Sequence, residues 1–168
     1  IGQNDIQTTA LIRALMGDIE YEGTVKWGVT TSQSYLPKDN SRDFAGGESI
    51  LDWLRQFASK EEDDNTFLRG FLGRMLFSGD EVNKSVNVLS GGEKVRVMLS
   101  KLMLLKSNVL VLDDPTNHLD LESISSLNDG LKNFKESIIF ASHDHEFIQT
   151  LANHIIVLSK NGVIDRID

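Results

Sequence analysis

Two adjacent carboxylates in the second half of the chain have a type and spacing that suit metal-assisted chemistry on water. Asp113 and Asp114 follow directly after the apolar run 109–112 and precede Pro115. A short apolar run bounded by a proline predicts a strand buried on both faces. Ligands of open α/β sheets bind at the carboxyl ends of strands. There, one carboxylate can hold hydrated Mg²⁺ and its neighbour can orient or deprotonate a water. Taken alone, the run fits a buried strand that ends in a capped turn equally well.

The segment from Ser90 to Gly92 has the composition of an anion-binding helix start. A serine hydroxyl and two glycines without side chains precede a helical apolar pattern that continues through Leu102. Backbone amides at a helix N-terminus and in a glycine-rich nest both favour negative charge. A small turn is the alternative, but the carboxylate strand follows about twenty residues later. The combination favours an anion site.

The first residues have the spacing of a phosphate-binding loop that lacks two of its defining side chains. The general pattern is a glycine, four residues, and then Gly-Lys-Ser/Thr. Gly2 and the hydroxyl of Thr9 fit this pattern, but Gln7 stands at the second glycine and Thr8 at the lysine. The helix that follows still offers backbone donors at its N-terminus. Without the other motifs, this segment would be a loop that leads into a helix.

Three motifs, in this order, resemble those of ATP-binding cassette (ABC) ATPases. Leu89–Glu93, with the sequence LSGGE, resembles the ABC signature loop. Asp113–Asp120 (DDPTNHLD) resembles the Walker B and D-loop segment, and Ser142–Asp144 (SHD) resembles the switch-histidine segment. The Asn-His-Leu-Asp ending is more similar to the soluble ABC-F subfamily than to transporter-linked cassettes. The resemblance covers essentially all 168 residues and looks closest to the second cassette of bacterial ABC-F proteins. We interpret the chain as a fragment that starts within the Walker A region, with at least one core strand upstream.

The resemblance implies an α/β fold of the P-loop NTPase class. We expect an ABC ATPase nucleotide-binding domain with a RecA-like core, a parallel sheet, a small antiparallel layer and an inserted helical subdomain. A single domain would span 1–168, with a core lobe over 1–44 and 106–168 and a helical signature subdomain over 45–105. The residue patterns predict helices at 8–16, 119–134 and 146–152, and strands at 23–27, 138–141 and 154–158, of which the one at 138–141 is expected to be buried. They also predict an extended segment at 29–35, a linker at 38–47 and a hairpin turn at Asn161–Gly162.

The resemblance also assigns roles to single residues. Asp113 and Thr9 would ligate Mg²⁺ together with Gln33, which stands where ABC cassettes place the Q-loop glutamine. Asp114 would polarise the attacking water and His143 would sense the γ-phosphate, so these two are the predicted catalytic residues. The residues expected to contact ATP are Gly2, Asn4, Asp5, Ile6, Gln7, Thr8, Thr9, Ala10 and Gln33 in the chain's own pocket, and Ser90, Gly91 and Gly92 in the signature loop. The expected cofactors are therefore ATP and Mg²⁺.

Three substitutions predict that the chain's own nucleotide site is impaired. A hydrogen bond to a charged group contributes roughly 1.5–3 kcal/mol, so Thr8 in place of lysine lowers the affinity roughly 10- to 150-fold. Gln7 adds a Cβ where the backbone must approach the phosphates closely. Asp114 replaces the usual glutamate, which places its oxygen on the order of 1.5 Å further back, and a displacement near 1 Å can cost about 100-fold in rate.

Composition limits the possible partners. The net charge of −8 and the pI of about 5.0 argue against independent binding to nucleic acid. The chain has no cysteine, which excludes disulfides and thiolate metal sites and is compatible with the cytoplasmic location that we expect. No apolar run approaches the ~20 residues that a membrane span requires.

These observations lead to one main functional hypothesis and two alternatives. The chain would be a nucleotide-binding domain of a soluble ABC-F-type ATPase, which pairs head-to-tail with a second cassette from the same chain or a homodimer. In ABC proteins the signature loop closes on the γ-phosphate held by the partner cassette. The resemblance further implies a ribosome-associated role in translation or resistance, through elements outside this fragment. The alternatives are the ATPase subunit of an ABC membrane transporter and a non-catalytic cassette that acts as a scaffold.

Overall fold

The computed structural model describes residues 5–159 and 161–167 of the chain. Within these ranges the helices are α1 (Asp5–Met16), α2 (Ile50–Arg55), α3 (Asn65–Arg74), α4 (Gly91–Leu104), α5 (Leu121–Lys132) and α6 (His145–Leu151). The strands are β1 (Gln33–Leu36), β2 (Val109–Asp113), β3 (Ser137–Ala141), β4 (His154–Ser159) and β5 (Gly162–Ile167). Short 3-10 turns cover Ser41–Phe44, Gly79–Asn83 and Val86–Val88. No helix within the described ranges is long and apolar enough to cross a membrane.

Strand β2 is the centre of a parallel sheet with the order β1–β2–β3. Leu36 pairs with Leu112 on one side, and Asp113 pairs with Ala141 on the other. Every residue of β2 is buried, so the strand predicted from the run 109–112 is confirmed. Because the strands are parallel, their carboxyl ends meet at one edge of the sheet, where Asp113 stands.

Strand β3 lies where it was predicted, but the prediction that it is buried is wrong. Ile139 exposes 37% of its surface, and Ser137 is also exposed. In the described part of the chain β3 is an outer strand of this sheet, since it pairs only with β2. Its side chains therefore have fewer neighbours than those of the central strand.

The antiparallel layer consists of a hairpin near the C-terminus. Strands β4 and β5 pair antiparallel, which confirms the predicted hairpin. Gly162, whose φ is +121°, pairs with Ser159 and is the first residue of β5, so the turn precedes it. The strand predicted at 23–27 is absent, because this segment pairs with no strand among the described residues. Instead, the indole N–H of Trp27 donates to the carbonyl of Leu15, 3.2 Å away, and fastens the segment to the end of α1.

The segment 38–47 is more structured than the predicted linker. Its 3-10 turn buries Phe44, whose ring stacks on Trp53 at a centroid distance of 4.9 Å. The apolar stripes of the region after Glu48 form the buried faces of α2, α3 and α4. These faces and the sheet share one apolar core, in which Leu54 and Leu72 belong to the same cluster as Leu112. The helical part is therefore packed directly against the sheet that carries the site.

Candidate functional site

The carboxyl ends of the three parallel strands and the start of α1 enclose a narrow cleft. Its lining includes Asp5 and Thr8 from α1, Lys38 after β1, the two adjacent carboxylates after β2 and His143 after β3. The cavity is about 10 Å³, which is room for one water. Topology thus brings together residues that are up to 138 positions apart in sequence.

Asp113 is the buried carboxylate of this cleft. It is only 2% exposed, and its Oδ1 accepts a hydrogen bond of 3.2 Å from the hydroxyl of Thr9. Its Oδ2 is buried and has no hydrogen-bond partner among the described residues. Burial raises the pKa of Asp113, although the Thr9 bond opposes this. A carboxylate oxygen without a partner, next to a hydroxyl, fits the oxygen ligands that Mg²⁺ prefers.

Asp114 has a strained backbone and a side chain that is already engaged. Its φ is +54°, a region that non-glycine residues rarely adopt, and its N–H donates to the carbonyl of Ala141 at 2.9 Å. Its Oδ2 lies 3.3 Å from the Nζ of Lys38. The carboxylate predicted to polarise water is therefore held in an ion pair.

Lys38 is the residue that the sequence analysis missed. Its Nζ also donates to the Oδ2 of Asp5 over 3.0 Å, and the Oδ1 of Asp5 lies 2.6 Å from the Nε2 of His143. The bond with Lys38, followed by the one with His143, lowers the pKa of Asp5, and the bond with Asp5 raises the pKa of Lys38. The only local signal is that Lys38 follows Pro37 just beyond the carboxyl end of β1.

The role predicted for Gln33 is wrong. Gln33 begins β1 and pairs with Val109, four residues before Asp113, so it lies about 13 Å from that carboxylate at ~3.3 Å per residue. Its side-chain amide donates to the hydroxyl of Thr31 over 2.7 Å. Strand β1 runs from Gln33 toward the site and ends at Leu36. The side chain that reaches the site is therefore that of Lys38, two residues after the strand. The place predicted for Gln33 is thus filled by Lys38.

The residues predicted to contact phosphate from α1 are only partly oriented toward the cleft. Gly2 and Asn4 lie outside the described residues. Ile6 and Gln7 are exposed, and Ala10 is half-buried. Thr8 is buried and lines the cleft, but its hydroxyl donates to the carbonyl of Asp5 over 3.0 Å. Thr9 is the member of this set that contacts the predicted metal ligand Asp113.

The signature segment forms the start of α4 in the way its sequence predicts. Ser90 is the N-cap: its hydroxyl accepts from the N–H of Glu93 at 3.3 Å, and its own N–H donates to the Glu93 carboxylate at 2.8 Å. Burial raises the pKa of Glu93, but hydrogen bonds from Lys84 and Ser90 lower it on balance. Ser90 and Gly91 are exposed. The amide of Glu93 is capped by Ser90, but those of Gly91 and Gly92, the first two residues of the helix, are not bonded within it. This helix start can therefore accept an anion from outside.

The two glycines of the signature segment lie against the loop that follows β2. A Cβ at Gly92 would lie 2.8 Å from the carbonyl oxygen of His118, and one at Gly91 would lie 3.4 Å from its Cβ. His118 has a φ of +64°. In the same loop, the hydroxyl of Thr116 hydrogen-bonds to that of Ser142 over 3.2 Å. The signature segment is therefore linked, through the loop 116–118, to the segment that carries His143.

Comparisons with known proteins agree with this geometry. A family model described as "ABC transporter" matches residues 1–117. The "Uncharacterized ABC transporter ATP-binding protein YkpA" of Bacillus subtilis is 58% identical over 98% of this chain and 31% of its own length. The "Probable ATP-binding protein YbiT" of Escherichia coli O157:H7 is 42% identical over the same shares of the two chains. The "ABC transporter F family member 2" of Arabidopsis thaliana is 30% identical over 98% of this chain and 24% of its own length.

Two solved structures share the fold. The archaeal ribosome recycling factor, solved in complex with the archaeal ribosomal stalk protein, has a TM-score of 0.77 at 23% identity, over 94% of this chain and 31% of that one. A dimeric ATP-binding cassette in a post-hydrolysis state, bound to ADP and Pi, has a TM-score of 0.68 at 17% identity, over 82% of this chain and 63% of that one. The predicted fold class is confirmed. The chain spans about a third of the length of the curated relatives that it matches.

Proposed function

Because this chain belongs to the ABC transporter family and has relatives of the ABC-F type, we propose that it is a nucleotide-binding cassette of a soluble ABC-F-type ATPase. The cassette comprises residues 1–168, with the core lobe over 1–44 and 106–168 and the signature subdomain over 45–105. It pairs head-to-tail with a second cassette, in the same chain or in a homodimer. The dimeric cassette bound to ADP and Pi is a precedent within this fold.

The observation that carries the functional assignment is a difference in accessibility between two regions of the chain, the start of α4 and the cleft beside α1. The start of α4 presents Ser90 and Gly91 to solvent. The chain's own cleft holds about one water, and Lys38 bridges two of its carboxylates. The cassette therefore contributes mainly its signature loop, which contacts a triphosphate held by the neighbour. Its own site, with Thr8 in place of lysine, binds ATP weakly.

The remaining residues of the chain's own site have separate roles in metal binding, water orientation and phosphate contact. Asp113 and Thr9 would hold Mg²⁺, which when bound neutralises phosphate charge and orients the γ-phosphate. Asp114 would orient water and His143 would contact the γ-phosphate. In the described geometry Asp114 is paired with Lys38 and His143 with Asp5, so both must be released before either can act. Turnover at this site is therefore slow.

The whole protein acts at the ribosome in the cytoplasm. Support comes from the ABC-F type of the relatives and from the fold shared with a ribosome recycling factor. The chain itself is acidic, with a net charge of −8, so contacts with ribosomal RNA come from other parts of the full-length protein. Cosedimentation of the full-length protein with ribosomes tests this assignment.

Two serines that begin helical turns allow a controlled test of the signature loop. The N–H of Ser78 donates to the carboxylate of Glu81 at 3.0 Å, as the N–H of Ser90 does to that of Glu93 at 2.8 Å. The Ser90 hydroxyl also accepts from the N–H of Glu93, whereas the Ser78 hydroxyl donates to the Glu81 carboxylate. Loss of an N-cap hydroxyl such as that of Ser90 costs roughly 0.5–2 kcal/mol of stability. In the full-length protein, we expect Ser90→Ala to lower ATP turnover at least tenfold, because a donor to the transition state is lost. Ser78→Ala removes a hydroxyl from a helical turn outside the signature loop and leaves turnover unchanged. Equal turnover in the two variants would favour a scaffold and refute the assignment.

A further inference from the structure

The carboxylate of Asp5 occupies the position in the cleft where a bound anion would be held. One of its oxygens accepts from Lys38 at 3.0 Å, and the other lies 2.6 Å from the Nε2 of His143. Asp5 is also the first residue of the twelve-residue helix α1, and a helix N-terminus favours a negative group. The ammonium of Lys38, the imidazole of His143 and the N-terminus of α1 are the kinds of group that bind phosphate oxygens in proteins.

We infer that Asp5 is a built-in anion that excludes phosphate from this chain's own cleft and so determines which of the two composite sites takes nucleotide. The inference deepens the proposed function, on which it rests. Two features then weaken phosphate binding in this cleft: the carboxylate of Asp5 takes the place of an anion, and Thr8 stands where the lysine of the motif would be. An intramolecular contact therefore occupies the anion position of the chain's own pocket.

The balance of charges in the cleft supports this inference. The cleft already contains the carboxylates of Asp5, Asp113 and Asp114, against one ammonium from Lys38. A triphosphate would add further negative charge to this set, and like charges at this range repel. Removal of the Asp5 charge takes away the carboxylate partner of His143 and one of the two carboxylate partners of Lys38.

The experiment measures nucleotide binding to the full-length protein by calorimetry, with a slowly hydrolysed ATP analogue and Mg²⁺. Two binding events are expected, a tight one opposite Ser90 and a weak one at the cleft of this chain. Asp5→Asn strengthens the weak event at least tenfold. Asp5→Glu, which keeps the carboxylate, leaves it within about twofold. Asp129→Asn is the matched control, since it removes the same charge from an exposed side chain on α5.

Two double variants separate this inference from the proposed function. Asp5→Asn combined with Lys38→Gln returns the weak event to its original affinity, because the released ammonium is the main new partner of the phosphate. In a Ser90→Ala background the tight event weakens, yet the gain from Asp5→Asn persists. Loss of the tight event and gain of the weak event are therefore independent readouts.

The inference is overturned if Asp5→Asn binds no more tightly than Asp129→Asn, or if Asp5→Glu gains as much as Asp5→Asn. The side chain of Asp5 is 52% exposed, so the asparagine variant is expected to fold. Unfolding curves check this point. Asp5→Ser, which also removes the charge and suits a helix start, is the second variant on which the same comparison is made.

Discussion

The contact between Gly92 and His118 predicts that two adjacent glycines differ sharply in their tolerance of alanine. A Cβ at Gly92 would lie 2.8 Å from a backbone oxygen, whereas ordinary carbon-to-oxygen contacts begin near ~3.3 Å. Overpacking of this kind costs typically about 1–3 kcal/mol. A Cβ at Gly91 would meet a side-chain carbon at 3.4 Å, which a small shift accommodates.

The pair is a matched comparison, because both residues lie in the first turn of α4 and both gain up to ~1 kcal/mol of helix propensity as alanine. That gain cancels in the difference, so Gly92→Ala should be less stable than Gly91→Ala by about 1–3 kcal/mol. Thermal unfolding of the full-length protein, followed through the transition of this cassette, should show midpoints that differ by roughly 2–4 °C per kcal/mol. If Gly91→Ala is equally or more destabilised, the signature segment is not packed on the His118 loop as described.

Two further predictions concern burial. Burial raises the pKa of Asp113, so its charge opposes folding above the folded-state pKa, and the penalty disappears as the pH falls below the unfolded value near 3.9. Asp113→Asn should therefore raise the unfolding free energy of the nucleotide-free protein at pH 7, by about 1.4 kcal/mol for each unit by which folding raises the pKa. It should also reduce the change of that free energy on acidification. A less stable variant in urea titrations contradicts this. Phe147 is fully buried, and its ring lies edge-on to that of Phe140 at a centroid distance of 5.0 Å. Phe147→Ala should therefore lower the unfolding free energy by about 3–5 kcal/mol in the same titrations. A loss below about 1 kcal/mol would mean that α6 is not packed on the sheet as described.

Segments whose own residues determine their structure were predicted well. The buried run before Asp113 has the length and β-branched content of a central strand, and β2 lies there. Ser90 and Glu93 contain within four residues everything that a capping box needs, and α4 begins there. The turn at Gly162 likewise depends on local backbone freedom.

The failures concern properties that depend on distant parts of the chain. The segment 23–27 alternates like a strand, but a strand also needs a partner, and none lies beside it in the described part of the chain. The register of β1 against β2 decides that Lys38 reaches Asp114 while Gln33 lies at the opposite end of the strand. Similarly, the contact between Asp5 and His143 joins residues 138 positions apart. Such pairings follow from sheet topology, which no short motif encodes.

The most direct test of the account is the structure of the full-length protein trapped with a slowly hydrolysed ATP analogue and Mg²⁺. We predict a triphosphate opposite Ser90, Gly91 and Gly92, held by the phosphate loop of a second cassette. No nucleotide should lie between Asp5 and His143. A triphosphate held against Gln7 and Thr8, with none opposite Ser90, would contradict the account.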